Sequence, residues 1–330
     1  MHKELELWQF IAERLQRSES MMLLVVAESS GSSPGRQGYK MAVGVDGELI
    51  GSIGGGVMEV NLVEESRLLL RDAATGGRGD TVTSRMSEQV HRKDSQDASG
   101  MICSGKQSVI FKLLTPENSS IIDTIIGALK EGRRDVLTIT STGFSVRPPD
   151  GESETNPKSK IQNPKSEDFT YTEQLGFRDD LYIIGGGHCA LALSELMSKM
   201  DFHISLFDDR PELNTIEKNR FAHAIQIVDS YADIGAEVSA SEHSYVVVMT
   251  LGYKSDEAVI RALIDKDFKY FGVLGSNAKM SVMLRKLSKE GLPAEKLERI
   301  RTPIGIPIHS RTPEEIAISI AAEIIAVKNA

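Results

Sequence analysis

The tripeptide Gly-Gly-Gly occurs twice in this chain, at Gly54–Gly56 and at Gly185–Gly187, each time between an apolar, strand-like run and a helical pattern. A chain that leaves a strand through glycines and re-forms as a helix gathers the unbonded amides of the first turn and the positive end of the helix dipole at one spot. That spot favours an anion such as phosphate. A single glycine loop says little, because glycine also serves simply to turn a chain tightly. Two loops with different flanks predict two anion sites in one chain.

At 330 residues the chain is long for one core, so two domains are expected. In the first, residues 1–147, Leu5, Trp8, Ala12 and Leu15 recur at helical spacing, which describes an amphipathic surface helix. MMLLVVAESS then reads as a buried strand, and KMAVGVDGELIGSI as two short strands around the turn Asp46-Gly47, the second delivering the first glycine triplet. From Val57 the spacing of Val60, Val63 and Leu68 becomes helical. MICSGKQSVIFKLL supplies another strand with Cys103 just before it, and a helix over 121–130 and the strand VLTITST complete the domain.

Residues 148–176 are rich in Pro, Ser, Asn and Lys, the composition of a linker or an exposed hairpin. From 177 to 330 strands alternate with helices at short spacing, which implies a parallel sheet covered on both faces. The expected fold class is therefore α/β, an N-terminal α/β domain followed by a Rossmann-like doubly wound parallel sheet.

Gly185, Gly187 and Ala190 satisfy G-x-G-x-x-A after an apolar strand and at a helix start, and Asp208 ends the next strand, where a dinucleotide's ribose hydroxyl would be met. NAD(P) or another nucleotide is the ligand this pattern implies. His188 lies at the mouth of the loop. Cys189 reads either as a thiol whose pKa the helix dipole lowers or as a small apolar side chain packed on the sheet. Gly275, Ser276 and Asn277 stand between a later strand and helix, either as a sheet-edge ligand contact or as an ordinary N-cap.

The formal net charge of −9 excludes a duplex nucleic-acid binder, which needs a basic face. Two cysteines, Cys103 and Cys189, are too few for a disulfide scaffold or a Cys-rich zinc site, so a reducing cytoplasm fits. The first residues do not read as a signal peptide, and no apolar run approaches the roughly 18 residues a membrane span needs. The last helix, IAISIAAEIIAV, is apolar nearly all round and demands burial, either in a homodimer or within its own chain.

Taken together, GSSPGRQGYKMAVGVDGELIGSIGGGVMEV and MICSGK resemble the N-terminal domain of the XdhC/CoxI family, while LYIIGGGHCALAL, YFGVLGSNAKM and PIGIPIHSRTPEEIAISIAAEIIA resemble its C-terminal Rossmann domain. The resemblance implies an accessory protein that binds molybdenum cofactor, assists exchange of an oxo for a sulfido ligand, and delivers the cofactor to an apo molybdenum hydroxylase such as xanthine dehydrogenase, with a cysteine desulfurase as a candidate sulfur source. The cofactor's phosphate suits glycine loops, and a soft thiolate suits molybdenum. By position Gly54, Gly55, Gly56 and Glu59 match the family's glycine loop and acid, and Cys103 matches the cysteine of its Cys-Gly-Gly segment. Ser104 stands where that segment has glycine, and Val57 where some members carry a second cysteine. Lys40 reads as a phosphate partner or a solvated surface lysine, and Glu59 as a ligand contact or a cap of its own helix.

The competing expectation is an NAD(P)-dependent oxidoreductase built on the Rossmann fingerprint and Asp208. No acid–base pair supports it, since His223, His243 and His309 lie in unrelated sequence contexts.

Overall fold

Apolar patterning sorts the chain into two units, Met1–Gly176 and Phe177–Ala330, and each closes its own cores. The computed structural model describes residues 3–31, 33–75, 84–90, 105–149, 159–164 and 168–330.

In the first unit the order is α1 (Lys3–Gln16), β1 (Met21–Gly31), β2 (Lys40–Gly44), β3 (Leu49–Gly51), α2 (Gly56–Ala74), β4 (Ser84–Val90), β5 (Gly105–Leu114), α3 (Ser119–Lys130), β6 (Val136–Thr140), β7 (Phe144–Arg147), β8 (Ser159–Gln162) and β9 (Thr170–Gln174). One sheet runs β3-β2-β1-β5-β4 and the other β7-β6-β9-β8, with every pairing antiparallel. β1 is buried from Met21 to Ala27 because both of its faces are covered. Leu23 and Val25 join Trp8, Ile11 and Ile122 in one core. The alternate residues Met22, Leu24 and Val26 join Met58 and Leu62 of α2 in another.

The stretch 148–176, expected as a linker or an exposed hairpin, contributes the antiparallel pair β8 and β9 to the second sheet, with β9 paired to β6. Phe169, Tyr171 and Leu175 enter the core that holds Trp8, and the first unit ends at Gly176. Polar composition hid this, because Glu173 is buried at a strand position where an apolar residue would signal the sheet.

The second unit runs β10 (Asp179–Ile184), α4 (His188–Met197), β11 (Phe202–Asp208), α5 (Asn214–Glu217), β12 (Ala224–Ile227), β13 (Ser244–Val248), α6 (Tyr253–Leu263), β14 (Tyr270–Val273), α7 (Asn277–Lys289), α8 (Ala294–Glu298) and α9 (Pro313–Lys328). Its sheet, β12-β11-β10-β13-β14, is wholly parallel. α4 and α9 bury Ala190, Leu193, Ile320 and Ile324 on one face, and α6 and α7 bury Val259, Leu263, Met280 and Met283 on the other. α9, capped by reciprocal hydrogen bonds between Thr312 and Glu315, buries Ala317, Ile320, Ala321 and Ile324 in its own unit and leaves Ile318 53% exposed. The strand order reverses between β10 and β13, which opens a crevice at the carboxyl ends of those strands. No described helix is long and apolar enough to cross a membrane.

One interior charge stands out. Lys112 on β5 is 3% exposed and lies opposite Ser84, whose hydroxyl is buried without a partner. Among the described residues no acid pairs with this amine, and burial pushes its pKa down from 10.5. Because the folded pKa lies below the unfolded one, the cost is fully present at neutral pH and disappears as pH rises past the unfolded value. Lys112→Met is expected to raise stability at pH 7 by about 1–2 kcal/mol in urea unfolding, with the gain shrinking towards pH ~10.4. An unchanged midpoint at pH 7 would refute this account.

Candidate functional site

The first glycine loop joins β3 to α2 through three residues in the left-handed region, with φ of 129°, 77° and 72° at Gly54, Gly55 and Gly56. Only glycine adopts these values without strain. Glu59, in the first turn of α2, draws the loop onto its helix. Its Oε2 accepts the amides of Ile53 and Gly55 at 2.9 Å each and the Ser52 hydroxyl at 2.8 Å. Ser52 Oγ in turn accepts the Gly54 amide at 3.2 Å. Glu59 therefore caps its own loop. The amides left over are those of the first turn, and there Gly56 and Val57 are exposed.

A second loop, Ser33–Gly35, locks against the first. A Cβ on Gly54 would stand 2.5 Å from the Gly35 nitrogen, and one on Gly35 would stand 2.1 Å from the Ile53 oxygen. Gln107, 1% exposed on β5, stitches the two together. Its Nε2 donates to Ile53 O at 2.8 Å, and its Oε1 accepts from Ser33 Oγ at 2.8 Å and Gly35 N at 3.3 Å. Sequence reasoning missed Gln107. The signal was present, since a polar residue sits in phase with the inward-facing Val109 and Phe111. Cys103 and Ser104 lie outside the described residues, just ahead of β5.

Lys40 faces no anion site. Its ammonium is buried in an ion pair with Glu173 at 2.7 Å and Glu4 at 3.1 Å. Tyr171 donates to the other Glu173 oxygen at 2.8 Å. Burial alone would push the Lys40 ammonium down, but Glu173 and Glu4 outweigh it and raise its pKa. The lysine joins β2 to α1 and β9, and its charge is spent there.

In the second loop the three glycines have different reasons. Gly185, at φ 108°, passes so close to β13 that a Cβ would stand 2.4 Å from Met249 O. A Cβ on Gly186 would meet Ile216 at 2.7 Å. On Gly187, the N-cap of α4 with φ −71°, a Cβ would meet nothing within 4 Å. Sterically the fold has no need of glycine at 187, the residue just before the first turn of α4. His188 is exposed beside it. Of the two readings of Cys189, the packed one fits: it lies against the core of this unit, and burial and, secondarily, the charge of Glu314 push its thiol pKa up rather than down. It stays a thiol at neutral pH.

Asp208 ends β11 as expected, yet it is fully buried and already saturated. It accepts the Gly186 amide at 2.6 Å, the Arg210 amide at 2.9 Å, and Arg210 Nε and Nη2 at 2.8 and 2.7 Å. A carboxylate offers about four acceptor positions, so none remains for a ribose hydroxyl. Burial alone would raise its pKa, but the bonds from Arg210 and the two amides prevail and hold it below the usual carboxylate range. Sequence reasoning placed the acid and overlooked the arginine two residues on.

After β14, Ser276 caps α7 by accepting the Lys279 amide at 3.3 Å, and Asn277 is the exposed first residue of that helix. Asp256 also went unnoticed in the sequence. Fully buried on α6, it accepts Thr250 Oγ1 at 2.5 Å and Lys279 Nζ at 2.7 Å, which ties the start of α6 to the start of α7. Among the described residues no cluster of His, Cys, Asp and Glu is arranged to hold a metal.

Comparison with known proteins bears on this geometry. The family model described as XdhC Rossmann domain matches residues 181–324, and that described as XdhC and CoxI family matches residues 14–83. A Bacillus subtilis (strain 168) protein, described as a probable xanthine dehydrogenase subunit, is 24% identical over 328 residues, spanning 94% of this chain and 94% of its own length. "Uncharacterized protein YqeB" of Escherichia coli (strain K12) is 24% identical over 314 residues, 92% of this chain, but the chain spans only 43% of YqeB. A Bacillus halodurans crystal structure described as a xanthine dehydrogenase shares the fold, with a TM-score of 0.71 at 21% identity over 100% of this chain and 96% of the other.

Gln107→Ala should cost about 2 kcal/mol, since it strands the Ser33 hydroxyl, the Gly35 amide and the Ile53 carbonyl. Amide exchange should accelerate at Gly35 and Gly54 while β10 and β13 keep their protection. Gly187→Ala should cost less than about 1 kcal/mol, because only the N-cap preference is lost.

Proposed function

The chain belongs to the XdhC and CoxI family, and from that premise we propose that it is an accessory protein of xanthine dehydrogenase-type enzymes that grips molybdenum cofactor by its phosphate. It assists exchange of an oxo for a sulfido ligand on that cofactor and delivers it to an apo molybdenum hydroxylase, with sulfur drawn from a partner such as a cysteine desulfurase.

The observation that carries this reading is Gly187. A glycine that the surrounding protein does not require, at the start of a helix and at the strand-order reversal of a parallel sheet, leaves room for a ligand to approach the backbone. A Cβ would fill that room. The residues present fit a phosphate, which the amides following Gly187 would receive, with His188 at the rim. Gly56 and Val57 offer a second set of exposed first-turn groups in the other unit.

The metal end is supported differently. Cys189 remains protonated and offers no thiolate, so Cys103 is the thiol proposed to contact molybdenum. The bound cofactor supplies the metal and the pterin dithiolene, and the chain's own residues bind, orient and shield it. An oxidoreductase that holds NAD by its ribose is not supported, because Asp208 has no free acceptor for that hydroxyl.

Anaerobic equilibrium binding of isolated molybdenum cofactor tests the proposal. Saturable binding is expected, weakened at least tenfold by Gly187→Asp, which puts a carboxylate where the phosphate is received, and also by joint replacement of Gly55 and Cys103. No saturable binding, or affinity unchanged in both variants, rejects it. NADH fluorescence should not shift at micromolar protein, whereas tight NADH binding with oxidation of a small substrate would favour the dehydrogenase.

A further inference from the structure

A cavity of about 650 Å³ lies beside β14, at the outer edge of the Rossmann sheet, and neither glycine loop borders it. Its walls come from the segment leading into β14 and from residues 296–303, with Glu323 of α9. The glycine loop of this unit sits at the carboxyl ends of the parallel strands, so the cavity is separate from that crevice.

The lining is cationic in a chain whose formal net charge is −9. Lys266, Lys269, Lys296, Arg299 and Arg301 face only Glu298 and Glu323 among the lining acids. These cations are weakly neutralised. Lys266 Nζ donates to the carbonyls of Gly235 and Val238, the latter at 2.7 Å. Lys296 and Arg299 pair at 2.8 Å with Asp265 and Asp267, whose side chains are 81% and 85% exposed. Such water-screened pairs yield readily to a better anion. Glu323 Oε2 accepts from the Tyr270 hydroxyl at 2.6 Å and the Gly305 amide at 2.8 Å, and its Oε1 lies a long 3.5 Å from Arg301 Nη1.

The wall is also held in place before any ligand arrives. Arg301 is bonded to β14 through its amide to Phe271 O at 2.8 Å and through its carbonyl from Val273 N at 3.0 Å. Its guanidinium lies 5.8 Å from the centroid of the Tyr270 ring. Phe268 and Phe271, edge to face at 5.8 Å, supply an aromatic side. The volume falls in the roughly 300–1,000 Å³ range of small-molecule sites.

We propose that this cavity binds a phosphorylated planar small molecule of mononucleotide size, its phosphate taken by Lys296, Arg299 and Arg301 and its ring laid against Phe268. A guanidinium pair suits the doubly charged phosphate better than a single ammonium does. None of these residues belongs to the cofactor site proposed above, so the two readings stand or fall separately.

The test is calorimetric titration of the full chain with AMP, followed by competition with inorganic phosphate. Saturable AMP binding is expected, displaced by phosphate, weakening as salt rises, and reduced at least tenfold in Arg299→Glu and in Arg301→Gln. Gly187→Asp should leave it unchanged. Hydrogen exchange on the unaltered protein gives an arm that needs no variant, with AMP expected to slow exchange in 264–271 and 300–303. Absence of saturable binding, failure of phosphate to compete, full affinity in both arginine variants, loss of AMP in Gly187→Asp, or protection confined to 185–191 would each overturn the proposal.

Discussion

A backbone that passes at contact distance from another backbone leaves no room for a side chain, and both glycine loops depend on that constraint. Gly54 lies against Gly35, and Gly185 against the end of β13, at separations no Cβ survives. In the first unit the approach brings Ser33–Gly35, the triglycine turn and the start of β5 together, with Gln107 serving the polar groups that the contact buries. In the second it sets the opening of α4 beside the loop that follows β13.

A common logic governs the charged groups near these loops. Glu59, Lys40 and Asp208 each had a ligand contact among their sequence readings, and each is committed within the protein, Glu59 as the cap that was its alternative. A buried charge without a partner costs more than an ion pair returns, so a fold tends to complete such groups from its own residues. Lys112 is the exception that shows the cost, its amine driven towards neutrality. What the loops leave for a ligand is mainly backbone amide, a neutral donor that stays in place when nothing is bound.

Strand and helix order were largely legible, because period-two and period-3.6 alternation survive wherever one face is apolar. β1 shows this well, its even and odd residues serving two different cores. β9 was opaque, since Glu173 occupies a core position and its charge is balanced there by Lys40, 133 residues earlier in the chain. No local pattern reports a neutralising partner so remote. Asp208 was legible as a position and misleading as a role, because a backbone motif predicts where an acid lies and not whether an arginine has reached it first. Cys189 was legible as a packed side chain, but the direction of its pKa rests on burial first and then on Glu314, brought near by α9, and neither is visible at the helix start.

The ion pair between Lys40 and Glu173 also decides how the molecule can be divided. A fragment cut within the polar stretch after residue 147 would keep the lysine and discard the carboxylate, together with the tyrosine that braces it. The remaining piece would leave the buried lysine with Glu4 alone, one of its two acidic partners, where β2 should close against its neighbours. A natural scissor point therefore lies after Gly176, and the low-complexity look of the preceding thirty residues is a poor guide for anyone trimming this protein into halves.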